Sequence, residues 1–133
     1  MLPKHAGIHH VALRVTDITS MVQFYCQILG YTVEWQPDED NYYLTSGHDS
    51  LAIHKADLPL GNKKNDSLDH IGIVVSEIEQ VDLWYSHLVA NHVPIYKEIK
   101  NHRDGSRSFY FYDPEQNIVQ VLYHPPLSPQ WRL

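Results

Sequence analysis

His10 and His70 stand at equivalent points of two segments that lie sixty residues apart. The first segment reads Ile8-His9-His10-Val11-Ala12-Leu13-Arg14-Val15-Thr16-Asp17-Ile18, and the second reads Leu68-Asp69-His70-Ile71-Gly72-Ile73-Val74-Val75-Ser76-Glu77-Ile78. Imidazoles ligate metals and exchange protons near neutral pH. Two of them at matched positions mark where a duplicated fold can build a shared site. The likeness runs on: Asp17 matches Glu77, Tyr25 matches Tyr85, Tyr42-Tyr43-Leu44 matches Phe109-Tyr110-Phe111, and Leu51-Ala52-Ile53 matches Val119-Gln120-Val121. A repeat of this extent sets the architecture before any single residue is interpreted.

The elements that must position these residues follow from the apolar pattern. Ile8–Val15 reads as a strand with Val11, Leu13 and Val15 on one face, which turns His10, Ala12 and Arg14 to the other. The N-cap residues in Asp17–Ser20 precede a helical face made of Met21, Val22, Phe24, Tyr25, Ile28 and Leu29, and Gly30 supplies its stop. Strands are expected near Thr32–Gln36, Asn41–Thr45 and Ser50–His54, with turns at Pro37-Asp38 and Ser46-Gly47. The second half repeats the order. A strand is expected over Leu68–Val75 and a helix over Glu77–Ala90 that buries Ile78, Val81, Leu83 or Trp84, Tyr85 and Leu88. Strands near Pro94–Ile99, Ser106–Tyr112 and Asn117–Tyr123 complete it, with turns at Asp104-Gly105 and Asp113-Pro114. The expected fold class is α+β. Two βαβββ modules in tandem form curved mixed sheets around a cleft, with the helices on the outer face. The expected boundaries are module one 8–56, a linker 57–67 containing Pro59 and Gly61, module two 68–124 and an irregular tail 125–133. Strand parity makes His10, His54, His70 and Gln120 candidates to project into the cleft.

Bulk properties narrow the function classes. The chain has 133 residues, 43% hydrophobic and 20% charged, and a formal charge of −6. That is ordinary for one soluble globular domain, and the negative balance argues against nucleic acid as a partner. No apolar run approaches the roughly 20 residues of a membrane span, and the N-terminus has no secretory apolar stretch. No membrane partner and a cytoplasmic location are expected. The single cysteine, Cys26, excludes an intramolecular disulfide and lies in an apolar helical pattern, as a small buried hydrophobe would. Phosphate loops, nucleophile elbows, Cys-X-X-Cys and His-Glu-X-X-His patterns are absent.

With these residues in view, the chain resembles the vicinal oxygen chelate superfamily, which includes glyoxalase I, bleomycin-resistance proteins, fosfomycin-resistance transferases and extradiol dioxygenases. The resemblance covers residues 8–124. It is carried by the openings at His10 and His70, by Phe24-Tyr25 and Leu29-Gly30, and by Phe109-Tyr110-Phe111-Tyr112-Asp113-Pro114-Glu115-Gln116-Asn117-Ile118-Val119-Gln120. Metal-dependent members take ligands from the first and last strand of each module. That resemblance implies a divalent metal ion (Zn, Mn, Ni or Fe) held by His10, His70 and Gln120. Ala52 occupies the remaining ligand position and cannot bind a metal. Gln120 stands where the family has Glu, so the donor set lacks a charge that would offset a dication.

Around that set, Arg14, His54 and Lys100 are read as substrate-binding residues, and Tyr110 and Glu98 as residues that handle a proton. Each also has a plainer reading. Arg14 suits a rim charge, Tyr110 a cross-strand packing partner, and residues 100–107 a solvated hairpin. Glu98 lies on a strand whose parity the pattern leaves open. The resemblance implies a metal-dependent enzyme of the glyoxalase or dioxygenase type, a lyase, transferase or dioxygenase, acting on a small oxygen-chelating substrate. The alternative is a metal-free small-molecule or drug-binding protein of the bleomycin-resistance type; a third reading is a regulatory protein that has lost catalysis. A homodimer is expected, since family members of this length pair modules between subunits.

Overall fold

The structure, a computed structural model, describes residues 2–4, 8–57 and 68–128. The described residues fall into two compact units, one on either side of residues 58–67. Most of the expected linker and the end of the expected tail, residues 129–133, lie outside the described residues.

In the first unit the order is β1 (His10–Val15), α1 (Ile18–Gln23), a π-helical turn (Phe24–Ile28), β2 (Thr32–Asp38), β3 (Asn41–Thr45) and β4 (Ser50–Lys55). The four strands form one mixed sheet in the order β1-β4-β3-β2, with β1 and β4 parallel. Asp17 starts α1 by accepting the Ser20 amide at 3.1 Å, which satisfies a donor the helix itself cannot pair. Gly30 ends the helical stretch at φ +82, a backbone region that glycine enters without steric cost. Met21, Phe24 and Tyr25 are buried with Leu13, Val15, Leu44, Leu51 and Ile53. Each such aliphatic or aromatic side chain contributes about 1.5–3 kcal/mol by leaving water.

Two expectations are corrected here. The helix does not run regularly from Met21 to Leu29; its second half widens into a π turn. The expected turn at Pro37-Asp38 is strand. Proline is tolerated there because β2 is an edge strand, where a missing amide donor costs no ladder bond. The chain reverses at the next two residues, where Asp38 Oδ1 accepts the Asp40 amide and the Asn41 side-chain amide, both at 2.8 Å.

The second unit repeats the plan with β5 (Ile71–Val74), α2 (Glu79–Ala90), β6 (Ile95–Asn101), β7 (Arg107–Tyr112) and β8 (Ile118–Tyr123), in the sheet order β5-β8-β7-β6. The repeat extends to register. Ala12 pairs with Ala52 and Tyr43 with Ala52 in the first sheet, while Gly72 pairs with Gln120 and Tyr110 with Gln120 in the second. Val81 and Leu88 of α2 are fully buried, as are Phe109, Phe111 and Val119, and Val121 is all but so. Ile78 and Leu83 are not part of that core: they are 37% and 68% exposed. Of the two residues offered for the buried face, Trp84 is the half-buried one. The helix also begins two residues later than expected, because the Gln80 Oε1 folds back to accept the Ser76 and Glu77 amides at 3.1 Å each. Asp113 is buried and accepts the Glu115 and Asn117 amides at 2.9 and 3.0 Å, closing the turn between β7 and β8.

Candidate functional site

In the second unit, the face of the sheet away from α2 gathers His70, Gln120 and Tyr110. Gln120 is half-buried, with Gly72 on one neighbouring strand and Tyr110 on the other. The absence of a side chain at Gly72 leaves open space beside it. His70 directly precedes β5 and lies edge-on to Tyr110, with ring centroids 5.5 Å apart and an interplanar angle of 83°. Its Nδ1 donates to Asp69 Oδ2 at 2.7 Å. The Nε2 is then the ring atom with an available lone pair. The Lys97 ammonium stands 5.6 Å from the centroid of the Tyr110 ring, within the range of a cation–π contact.

Gln120 also borders an open cleft of about 540 Å³, whose other walls are residues 100–104 and Ser106. This cleft brings two expected site residues, Lys100 and Gln120, to one place. Its walls carry both signs of charge. Lys100 and Arg103 are exposed, while the Asp104 carboxyl is held below its usual range by the Ser106 hydroxyl and amide, which donate to it at 2.7 and 2.9 Å. His102 is fixed on the same side by its Nε2, 3.1 Å from Ser108 Oγ.

Glu98 does not join this group. It pairs through Oε2 with the hydroxyl of Tyr85 on α2, on the helix-bearing side of the sheet. The bond raises the Tyr85 phenol above its ordinary range. Glu98, expected as a residue that handles a proton, thus has its carboxylate engaged by Tyr85. Register shifts in β6 on both sides of Lys97 explain why simple alternation did not place it.

In the first unit, His10, Arg14 and His54 share the face away from α1. Arg14 pairs in register with His54, and His10 with Ser50. Asn41 donates through Nδ2 to Asp38, so its Oδ1 is an acceptor, and the His54 Nδ1 donates to it at 2.6 Å. Tyr43 meets His54 edge-on at 5.6 Å and stacks on Trp35 at 5.0 Å. The Nδ1 atoms of His9 and His10 lie 3.1 Å apart, one donating to the other. Among the described residues, no three His, Cys, Asp or Glu side chains gather so that they could hold a metal ion. The donors available for one are imidazole and amide atoms: His70 with its Nε2 free, and Gln120 beside open space. Imidazole nitrogen suits Zn, Ni and Fe, and amide oxygen adds a neutral donor.

Three polar residues on these faces were not read as site residues from the sequence: Asp69, Lys97 and His102. Asp69 was visible as the neighbour of His70. Lys97 and His102 needed the hairpin geometry.

Comparison with known proteins gives a consistent picture. The family model described as Glyoxalase/Bleomycin resistance protein/Dioxygenase superfamily matches residues 7–121. The metallothiol transferase FosB of Staphylococcus epidermidis is 27% identical over 115 residues, covering 86% of this chain and 80% of the relative. FosB of Staphylococcus saprophyticus is 29% identical over 115 residues, covering 86% and 75%. Among solved structures, lactoylglutathione lyase from Agrobacterium tumefaciens superposes with a TM-score of 0.76 at 21% identity, covering 93% of this chain and 98% of that one. At that identity the match speaks for the fold alone.

Proposed function

We propose that this chain, which belongs to the Glyoxalase/Bleomycin resistance protein/Dioxygenase superfamily, is a metal-dependent enzyme acting on a small oxygen-chelating substrate with an anionic group. The observation that carries the reading is the cleft bordered by Gln120 and Lys100 in the unit that presents His70. Similarity to the metallothiol transferases makes group transfer to such a substrate the first reaction class to assay.

In this reading His10, His70 and Gln120 are the residues that would hold a divalent ion. Such an ion would act as a Lewis acid on a substrate oxygen. The remaining work falls to the chain's own side chains. Lys100 offers an ammonium to the anionic group across the cleft, with Arg103 as a second cation on its rim. Arg14 and His54 are the further residues assigned to substrate binding. Gln120 carries an amide, which has no group basic enough to accept a proton, so it cannot serve as a base, and reactions that need carbon deprotonation by that residue are excluded. Tyr110 is the hydroxyl that handles a proton near His70. A homodimer is part of the same proposal.

Elemental analysis of untagged protein tests the reading directly. About one Zn, Mn, Ni or Fe per chain is expected, and none in the His10→Ala/His70→Ala double variant. A parent protein that takes up no metal after incubation with each of these ions would overturn it. The second reading, a metal-free binding protein, is favoured by one observation: a neutral amide stands at residue 120, where a carboxylate would otherwise complete the set. Under that reading the same cleft binds a ligand with no dependence on metal.

A further inference from the structure

The two candidate histidines are held in the same way. In the aligned repeat, the residue just before each of them is His9 in the first module and Asp69 in the second. Both of these residues engage the Nδ1 of the histidine that follows: His9 Nδ1 at 3.1 Å from His10 Nδ1, and Asp69 Oδ2 at 2.7 Å from His70 Nδ1. The partners differ in chemistry. Asp69 is a carboxylate and acts only as an acceptor, so the His70 proton sits on Nδ1 and the lone pair on Nε2. His9 is an imidazole, which shares one proton with His10 and adds no charge.

From this pairing we propose that Asp69 is a positioning residue for His70: it fixes the ring and its tautomer so that Nε2 is presented as a ligand atom. The proposal rests on the metal-dependent reading above. A histidine that binds a metal through one nitrogen is commonly oriented by a carboxylate or carbonyl on the other, and loss of that partner typically lowers metal affinity about 10- to 100-fold. The surroundings of His70 fit the role. Tyr110 borders the ring edge-on at 5.5 Å and Asp69 engages its Nδ1 at 2.7 Å, so two contacts restrict its rotation. The Asp69 side chain is 93% exposed and that of His70 33%, so replacement of Asp69 disturbs no core packing. Gln120, the neutral member of the set, makes the charge behind His70 more consequential, because no carboxylate stands among the proposed ligands themselves. The second module thus places a carboxylate one hydrogen bond behind its candidate histidine, where the first module places an imidazole.

The test compares wild type, Asp69→Ala, Asp69→Asn and His70→Ala for Co(II) and Zn(II) affinity, together with the ¹⁵N chemical shifts of the His70 ring in the metal-free protein. Asp69→Ala is expected to weaken metal binding about 10- to 100-fold, with Asp69→Asn between it and wild type, because an amide oxygen still accepts from Nδ1. The wild-type His70 ring should show a proton on Nδ1, and Asp69→Ala should lose that preference. Wild-type affinity in Asp69→Ala, with His70→Ala impaired, would overturn the positioning role while leaving the metal reading intact. A wild-type His70 protonated on Nε2 would overturn it as well. If wild type binds neither ion, the metal reading itself fails, and the ring shifts still decide whether Asp69 holds the tautomer.

Discussion

A single atom type separates the proposed donor set from a charged one: Gln120 offers an amide oxygen where a carboxylate would bring a negative charge. Affinity for a hard dication rises with the number of charged ligands. Gln120→Glu is therefore expected to bind Zn or Mn at least about ten-fold more tightly, equivalent to roughly 1.4 kcal/mol, as read by competition with a chelating dye. Unchanged affinity would remove residue 120 from the metal site. The same substitution introduces a group that can accept a proton, so any reaction of the chain that depends on residue 120 being unable to do so should change its pH profile. Residue identity at this scale was legible in the sequence, since Gln120 lies on a strand whose alternation is regular. Glu98 was not, because the bulges on both sides of Lys97 break the period of two that parity depends on.

At the scale of elements, β7 is tied to α2 by one well-formed ion pair. Arg107 donates through Nε to Asp82 Oδ2 at 3.0 Å and through Nη2 to Asp82 Oδ1 at 2.7 Å, while its Nη1 reaches Asn101 Oδ1 at 2.8 Å. Half of the Asp82 side chain is exposed, so solvent screens the pair and its worth is about 0.2–1 kcal/mol. The hydrogen bond from Arg107 is the largest cause of a lowered Asp82 carboxyl. The sign follows from that direction. The stabilisation is fully present above the unfolded carboxyl value, about 3.9, and is lost as pH falls through the lower folded value. Urea unfolding of Arg107→Ala should accordingly show a stability deficit of roughly 0.2–1 kcal/mol between pH 5 and pH 8. The gap to wild type should close in strong acid. A gap that widens in acid would contradict the assignment. Because Arg107 also anchors Asn101 at the end of β6, the variant should loosen the hairpin that forms the cleft wall.

For the molecule as a whole, the proposed assembly is a homodimer, and sedimentation equilibrium at micromolar concentration is expected to return twice the chain mass. A single species at the mass of one chain would contradict it. The formal charge of −6 predicts that the protein does not associate with nucleic acid at physiological salt, since that association depends on clustered cations. Among the described residues, no helix is long and apolar enough to cross a membrane. The two βαβββ modules and their mixed sheets were fully expected from the repeat, and the sheets repeat it down to the pairing of Tyr43 with Ala52 and of Tyr110 with Gln120.

The amino-acid sequence by itself determined what depends on local period and on duplication: the order of strands and helices, the face on which His10, Arg14, His54, Tyr110 and Gln120 emerge, and the core made of Leu13, Val15, Phe109, Phe111, Val119 and Val121. Alternation every second residue and helical spacing suffice for this, because both are properties of the backbone. Tertiary structure alone decided the partner of each polar group. Glu98 meets Tyr85 across to α2, His54 meets Asn41 two strands' worth of chain away, Arg107 meets Asp82, and the walls of the Lys100–Gln120 cleft come from two strands and a hairpin. Those contacts join residues far apart in the chain, through bulges and turns whose exact register is set by the packing of each sheet against its helix. The physical reason is that a hydrogen bond needs its two atoms within about 3 Å, and only the folded chain brings distant segments that close.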